Sequence, residues 1–384
     1  MVDATFQRTG AATAARVPAV SVEVIAGVAA ARTAIDAITP DMIHTGYQHP
    51  AMLSAWVGTA GCEPMFLTFA TDGHGPVLLP LELCGNGVAG YCGGRHANGN
   101  FPVGRRADIE ALARAGEPAI KAALRAADCP AGSIILERQH AVWNGIANPF
   151  VFGTSVQSPN IALSFAIDSD FDTLLTERGG KNKRKKIRSY RRKLDAIGTV
   201  AFHHPVPVAD APAALDRFFA LKAERFRAAG ISDVFGDART QAFFRVLFTE
   251  HGPQHELHAL TLDDEIIAIA GTTTLDGRMT VEFGTFDVHH APARPGEQLF
   301  FSMIAHACET GVRIFDFGIG DERYKRAWCD IETTHYDTTI GLTLPGKMRA
   351  AAQTGRSRLV RALKSNERAW ALAKRVRKAL ASRS

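Results

Sequence analysis

No stretch of this chain approaches the ~20 consecutive apolar residues that a bilayer-spanning helix needs, so no membrane span is expected. The Ala- and Thr-rich segment 1–19 lacks a Lys- or Arg-led apolar run. That speaks against a secretory signal there and predicts a disordered lead-in. Cysteine is sparse and irregular: Cys62, Cys84, Cys92, Cys129, Cys308 and Cys329 contain no Cys-x-x-Cys pair. Reduced thiols, a cytoplasmic location, no disulfide framework and no zinc site are expected. Cys329 has no ordered set of His and Asn companions and reads as an incidental thiol.

Other signatures are missing one residue short. His255-Glu256-Leu257-His258 lacks a zincin's second spacer residue and falls on a predicted strand, where its two imidazoles would point to opposite faces. The pairs His203-His204 and His289-His290 have the same difficulty, so no metal site is expected. Gly318-x-Gly320 opens like a dinucleotide fingerprint, but position 323 is Arg and no βαβ unit surrounds it, which excludes a Rossmann site. Acids are nearly absent from the C-terminus. From Lys347 onward twelve Lys and Arg face one acid, Glu367, a net of +11; with +5 for the whole chain, the remainder carries −6. The basicity thus belongs to a tail and not to the body, and no nucleic-acid-binding core is implied.

What is present is globular: 384 residues, 46% hydrophobic and 22% charged, enough for two ordinary domains. The second half carries the clearer pattern. A basic helical segment over 176–196 precedes a short strand over 199–204 and a helix over 210–229, stopped by Gly230. A second helix covers 238–250, with Gly252-Pro253 behind it. Strands follow over 255–262, 266–275 and 278–288, the last two joined by the hairpin signal Asp276-Gly277. A helix over 297–310, a buried strand over 312–317, a short helix over 321–328 and a strand over 336–344 complete the half. The first half repeats this order more faintly. Strands are predicted over 21–25, 65–70, 76–83, 87–91 and 133–137, and helices over 32–38, 50–57 and 108–127. The reading is an α/β (α+β) chain of two similar halves, 20–155 and 156–346, after the lead-in 1–19 and before a basic amphipathic helical tail, 347–384. Within that tail a helix is expected over 356–380, with Leu359, Leu363, Trp370 and Leu380 near one face, able to lie on an anionic membrane or to pack on the acidic body.

Three segments carry candidate chemistry. Arg294-Pro295-Gly296-Glu297-Gln298-Leu299 stands where a strand gives way to an amphipathic helix. The first N–H groups of a helix lack internal partners and bind phosphate oxygens, helped by the helix dipole. Gly296 permits close approach and Arg294 adds charge; an ordinary Pro-Gly turn is the plain alternative. The run from Phe315-Asp316-Phe317 through Asp321-Glu322-Arg323-Tyr324-Lys325-Arg326 to Trp328 is a buried strand entering a polar, aromatic turn; its plain reading is a salt-bridge cluster. The basic segment containing Lys183, Arg184 and Arg188 reads either as a solvated helix or as a grip on phosphate.

Together these segments resemble the CelD/BcsL-type GNAT acetyltransferases, a family associated with cellulose biosynthesis. The matching residues are Pro295-Gly296-x-x-Leu299, Phe315-Asp316-Phe317, Gly320-Asp321-Glu322, Tyr324-Lys325 and Trp328. Tyr47-Gln48-His49-Pro50 with Trp56, Leu79-Pro80-Leu81, Gly93-Gly94, the basic helix 183–194 and the segment 143–149 extend the resemblance over about 21–344. One departure is His289-His290-Ala291-Pro292, where relatives carry aromatic and Ser residues before Pro-Gly. The resemblance implies a tandem GNAT-like fold, acetyl-CoA or another acyl-CoA as cosubstrate, and an amine acceptor such as a small molecule or an amino sugar linked to exopolysaccharide. It puts the pyrophosphate on Arg294, Gly296, Glu297, Gln298 and Leu299. Lys183, Arg184, Arg188, Asp316, Asp321, Glu322, Lys325 and Trp328 are implied around the substrates. By position it makes Glu282 the base and Tyr324 the acid. Two other readings stay open: a Fem-type transferase using aminoacyl-tRNA, and a non-catalytic scaffold of polysaccharide synthesis.

Overall fold

The computed structural model describes residues 19–59 and 61–365. In the first half, β1 (Val20–Ala26), α1 (Val28–Asp36) and α2 (Pro50–Gly58) lead to β2 (Met65–Thr71), β3 (Val77–Leu79), β4 (Leu81–Leu83) and β5 (Val88–Tyr91). Then come α3 (Arg106–Ala126), β6 (Ser133–His140) and a small hairpin of β7 (Val142–Trp143) and β8 (Ile146–Ala147). The strand expected over 76–83 is broken in two at Pro80, whose ring removes a ladder donor. β9 (Val156–Ala166) joins the halves.

The second half continues with α4 (Phe171–Glu177), α5 (Gly180–Asp195), β10 (Val200–His203), α6 (Ala211–Ala229) and α7 (Ala238–Glu250). Next are β11 (His255–Leu262), β12 (Glu265–Leu275), β13 (Arg278–Phe286), α8 (Pro295–Glu309), β14 (Ile314–Ile319), α9 (Arg323–Arg326), β15 (Ile331–Gly341) and α10 (Leu344–Ser365). α6 ends with Gly230 in the left-handed region, and the β12–β13 hairpin turns through Asp276 and Gly277, both at positive φ. β15 opens five residues earlier than expected, at Ile331.

One ten-stranded sheet runs through both halves in the order β10-β11-β12-β13-β14-β9-β15-β6-β5-β4; β1, β2 and β3 form a second, smaller sheet. Two parallel pairs, β5 with β6 and β13 with β14, sit at equivalent places, each bridged by a long helix, α3 or α8. All other pairings are antiparallel. The last strand, β15, lies between β9 and β6, while β9 lies between β14 and β15. The first half therefore completes its sheet with β15, from the far end of the chain, while β14 is covered by β9, the strand that opens the second half. Three apolar clusters back this framework: one of α1, α2, α6 and α7, one around α8 and β14, and one around α3 and β6.

α10 covers β15, β9 and β6. Thr354 bonds Thr339 at 2.9 Å and Gln353 bonds Glu137 at 3.0 Å. α10 opens at Leu344, twelve residues before the helix expected over 356–380, and is described as far as Ser365. Trp370 and Leu380 lie outside the described residues, as do residues 1–18 of the lead-in.

Candidate active site

β13 and β14 run parallel for three residue pairs, Arg278 with Ile314, Met279 with Phe315 and Thr280 with Asp316, and then part. On the other side of β13 the ladder slips between the pairs Phe283–Gly271 and Val281–Thr272, leaving Glu282 as the extra residue of a β-bulge. A bulge re-aims its side chain and releases its backbone from the ladder. Glu282 therefore stands at the fork where the strands separate.

Two cavities meet there. The first, about 470 Å³, is walled by Lys222 and Arg225 of α6, Phe286 of β13, the start of α8, and Tyr324 and Lys325 of α9. The second, about 400 Å³, has walls from the first half, including Thr45, His140 and Trp143, opposite Arg278, Asp316 and His335. Glu282, Tyr47, Asn98 and Gly318 line both.

Burial pushes the Glu282 carboxyl up to about 7; hydrogen bonds from Thr273 and Tyr47 pull the other way, and the nearby Asp316 charge adds to the rise. Asp316 is raised by burial too, held back by Arg278 at 2.8 Å and by the Gly318 N–H, also 2.8 Å from its second oxygen. The fork thus holds two carboxyl groups that resist ionising together. His140 and His335 are kept neutral by burial, His335 at about 4.

In the first cavity, Arg294 turns the chain with φ +51° and pairs with Glu297 at 3.7 Å. The Glu297 and Gln298 N–H groups bond the Arg294 carbonyl at 3.0 and 3.2 Å, and among the described residues no backbone acceptor takes the Gly296 N–H. A Cβ on Gly296 would stand 3.2 Å from the Phe286 ring, so glycine allows this close approach without moving the ring. Arg294, Gly296, Glu297 and Leu299 all line the cavity; Gln298 is buried and braces the turn, bonding the Ala293 carbonyl at 2.7 Å.

Tyr324 stacks on Phe300 at 5.5 Å and meets Phe317 edge-on at 5.8 Å. Burial raises its hydroxyl, which stays protonated, a hydrogen-bond donor at neutral pH. Lys325, buried, bonds Glu322 at 3.0 Å and the Ile319 carbonyl at 2.8 Å. Arg326 turns away to Asp321 and Glu332.

The other predicted residues lie elsewhere. Trp328 is in the core, with Lys183 over its ring at 4.8 Å. Arg184 pairs with Asp172, Arg188 bonds the Arg184 carbonyl, and none of these lines either cavity. Conversely, Lys222 and Arg225 escaped the sequence reading. Lys222 lies within 5.9 Å of the rings of Phe218, Phe226 and Phe235 and bonds the Gly284 carbonyl at 2.9 Å; burial, then Arg225, lowers it to about 8. Arg225 lies 4.4 Å over Phe286. Their spacing on an amphipathic helix was the available signal, but it marks any helix whose long side chains flank a core.

The equivalent fork of the first half is closed. β5 and β6 also pair over three residues and part. Tyr91 then bridges the gap to Gln139 at 3.0 Å, Gln139 bonds Thr338 at 2.8 Å, and Gln48 bonds Asn100 at 2.7 Å, all buried. At the start of α3, Asp108 accepts from the Gly75 N–H at 2.8 Å, so a carboxylate already occupies that helix end. Among the described residues no group of His, Cys, Asp and Glu is arranged to hold a metal ion.

Residues 181–326 match the family model of the acetyltransferase (GNAT) domain. No curated protein sequence shows a significant match to the chain. Among solved structures it is similar to FemX, with TM-score 0.52 at 12% identity over 82% of this chain and 96% of that one. It is also similar to the C-terminal domain of a protein described as a lysylphosphatidylglycerol synthetase from Agrobacterium fabrum, with TM-score 0.51 at 12% identity over 85% and 95%. A third is L-PGS from Bacillus licheniformis, with TM-score 0.51 at 14% identity over 84% and 96%. At these identities the likeness is one of fold. The tandem GNAT-like arrangement expected from the sequence is the architecture of this chain.

Proposed function

We propose that this protein is an acyl-CoA-dependent N-acyltransferase with one active site, in its second half. The observation that carries the reading is Glu282, on a bulge at the strand fork, in the wall shared by two cavities. An acyl-CoA in the first cavity would lay its pyrophosphate against Gly296 and Arg294 at the α8 start, with Lys222 and Arg225 on the opposite wall. An amine in the second cavity would meet the thioester at the fork. Glu282, poised near neutrality, takes the ammonium proton; the amine nitrogen then attacks the thioester carbonyl carbon. The C–N bond forms, the C–S bond breaks, the thiolate takes a proton from the Tyr324 hydroxyl, and the second nitrogen proton passes back to the Tyr324 oxygen, leaving the amide, the free thiol and a protonated Glu282 that returns its proton to solvent. The closed fork of the first half supports a single site.

Acetyl-CoA is the proposed donor, and the acceptor an amino sugar or precursor connected with cellulose or another exopolysaccharide, as the family resemblance implies. A polar second cavity bearing Glu282, Asp316, His140 and His335 is compatible with a hydroxylated amine. One observation favours a second reading. Lys181, Lys185, Arg188 and Arg192 recur along one exposed face of α5 without an acidic partner among the described residues, and α5 touches the turn before α8. A polyanionic donor such as aminoacyl-tRNA would use that stripe; acyl-CoA leaves most of it idle. Calorimetric titration with acetyl-CoA, followed by thiol release across a panel of amines, tests the proposal. Acetyl-CoA binding by the wild type, with thiol release that Glu282→Gln loses while still binding, supports it. Absence of acyl-CoA binding, with amide formation from aminoacyl-tRNA, would replace it with the second reading.

A further inference from the structure

The outer face of α10 has no use in acyl transfer. Of the ten large hydrophobic residues exposed among those described, four belong to this one helix: Leu344 at 74%, Met348 at 70%, Leu359 at 61% and Leu363 at 37% exposure. With 3.6 residues per turn, Leu344, Met348, Leu359 and Leu363 fall within about a third of the circumference, together with exposed Ala351, Ala352 and Gly355. The opposite face, Gly346, Ala350, Gln353, Thr354 and Ser357, is the one turned to the sheet. Water therefore meets an apolar stripe along most of a helix roughly 33 Å long.

Charge borders the stripe on both sides. Lys347, Arg358 and Arg361 project along one flank, Arg349 and Arg356 along the other, all exposed, with the Arg349 guanidinium also donating to the Asn86 carbonyl. No Asp or Glu occurs in Leu344–Ser365, and among the described residues none pairs with these five cations. The rest of the chain before Lys347 is net acidic, with the basic face of α5 as its exception, so this helix and the segment that follows it stand out against an acidic body. An apolar strip between two cationic borders matches the cross-section of an anionic bilayer surface: acyl chains at the middle, phosphates at either side. No helix among the described residues is long and apolar enough to cross a membrane, so the fit is to lying on the surface.

We propose that α10 is a peripheral membrane-docking element that seats the protein on anionic phospholipid through Leu344, Met348, Leu359 and Leu363, with Lys347, Arg349, Arg356, Arg358 and Arg361 at the headgroups. This goes beyond the acyl-transfer reading and does not depend on it. The full-length protein is sedimented with vesicles of phosphatidylcholine alone and of phosphatidylcholine mixed with phosphatidylglycerol. Binding to the mixed vesicles only, weakening as salt rises, is expected. Leu359→Ser with Leu363→Ser, and separately Arg356→Glu with Arg358→Glu, should each weaken it by roughly tenfold or more. These side chains are exposed, so both variants should keep the wild-type melting temperature, which shows that lost binding is not lost folding. Equal sedimentation with the two vesicle types, or no sedimentation with either, overturns the proposal. So does a wild-type dimer that Leu359→Ser dissociates, because a second copy would then be what covers the stripe.

Discussion

At the scale of single residues, Glu282 carries the sharpest consequences. Its carboxyl is raised by burial from the ordinary carboxylate range to about 7, so the folded protein holds a proton there that the unfolded chain releases. Between about 4.5 and 7 the folded state binds more protons, and Glu282 costs stability progressively as pH rises through that window. Glu282→Gln should therefore melt like the wild type near pH 5 and above it near pH 8, a comparison that thermal denaturation at the two pH values makes directly. Catalysis runs the other way. With Glu282 as the proposed base, the active form exists only above its folded value, so kcat/KM should rise along a limb centred near 7, and Glu282→Gln should erase the limb and slow turnover by roughly 10²-fold or more. A limb that survives the substitution would assign the proton to another group. Tyr324 is tested more simply, since its hydroxyl has no role in the stacking on Phe300. Tyr324→Phe should lower turnover by roughly 10²-fold with acyl-CoA affinity nearly unchanged. A variant that turns over normally and melts slightly lower would make Tyr324 a packing residue. Glu282 and Tyr324 could be nominated from the sequence because their positions follow from strand order; Lys222, Arg225 and Tyr47 could not, because each reaches the fork from an element distant in sequence and only tertiary packing brings it there.

At the scale of elements, the start of α8 joins backbone geometry to ligand chemistry. Phe286, flanked by Arg225 on one side and the Gly296 backbone on the other, fixes how close the helix end comes to β13. Gly296→Ala should shift the ring by a few tenths of an ångström and cost little. Gly296→Asp adds a carboxylate where phosphate is proposed to rest, and acyl-CoA affinity should drop at least about tenfold, or 1.4 kcal/mol. Isothermal titration of both variants separates the two effects, and an Asp variant that binds as tightly as the Ala one would move the pyrophosphate elsewhere. The turn chemistry of this half was readable: Gly230 ends α6 and Asp276-Gly277 closes the β12–β13 hairpin. β9 was not. The expected boundary between the halves falls at 155/156, and Pro159 just beyond it argues against a central strand. The structure reconciles the two, because Pro159 falls where the β15 pairing slips between Thr334 and Tyr336, while the β14 ladder reaches only to Ala162. No ladder donor is required at that point, so the strand passes through its own irregularity.

At the scale of the whole molecule, the pairing of β15 with β6 ties the two halves into one sheet. β6 packs against β5 on one side and against β15, nearly two hundred residues later, on the other. Thr338 of β15 bonds both Gln139 and the Phe150 carbonyl, at 2.8 and 2.7 Å, inside the core of the first half. In the second half β14 has β9, the strand that opens that half, as its outer neighbour. A fragment ending at residue 155 would keep the sequence of the first half but lose β15, exposing the edge of β6 and leaving the buried Gln139 amide without its threonine. Unpaired buried polar groups and an open edge are both costly. We therefore expect residues 19–155 alone to remain unfolded or to aggregate. The intact chain should unfold in one transition despite a length that suits two domains. Scanning calorimetry checks this through the ratio of calorimetric to van't Hoff enthalpy, which is unity when the halves melt together. Two resolved transitions, or a soluble first-half fragment with dispersed amide resonances, would show that each half carries enough of its own core to stand without the borrowed strand.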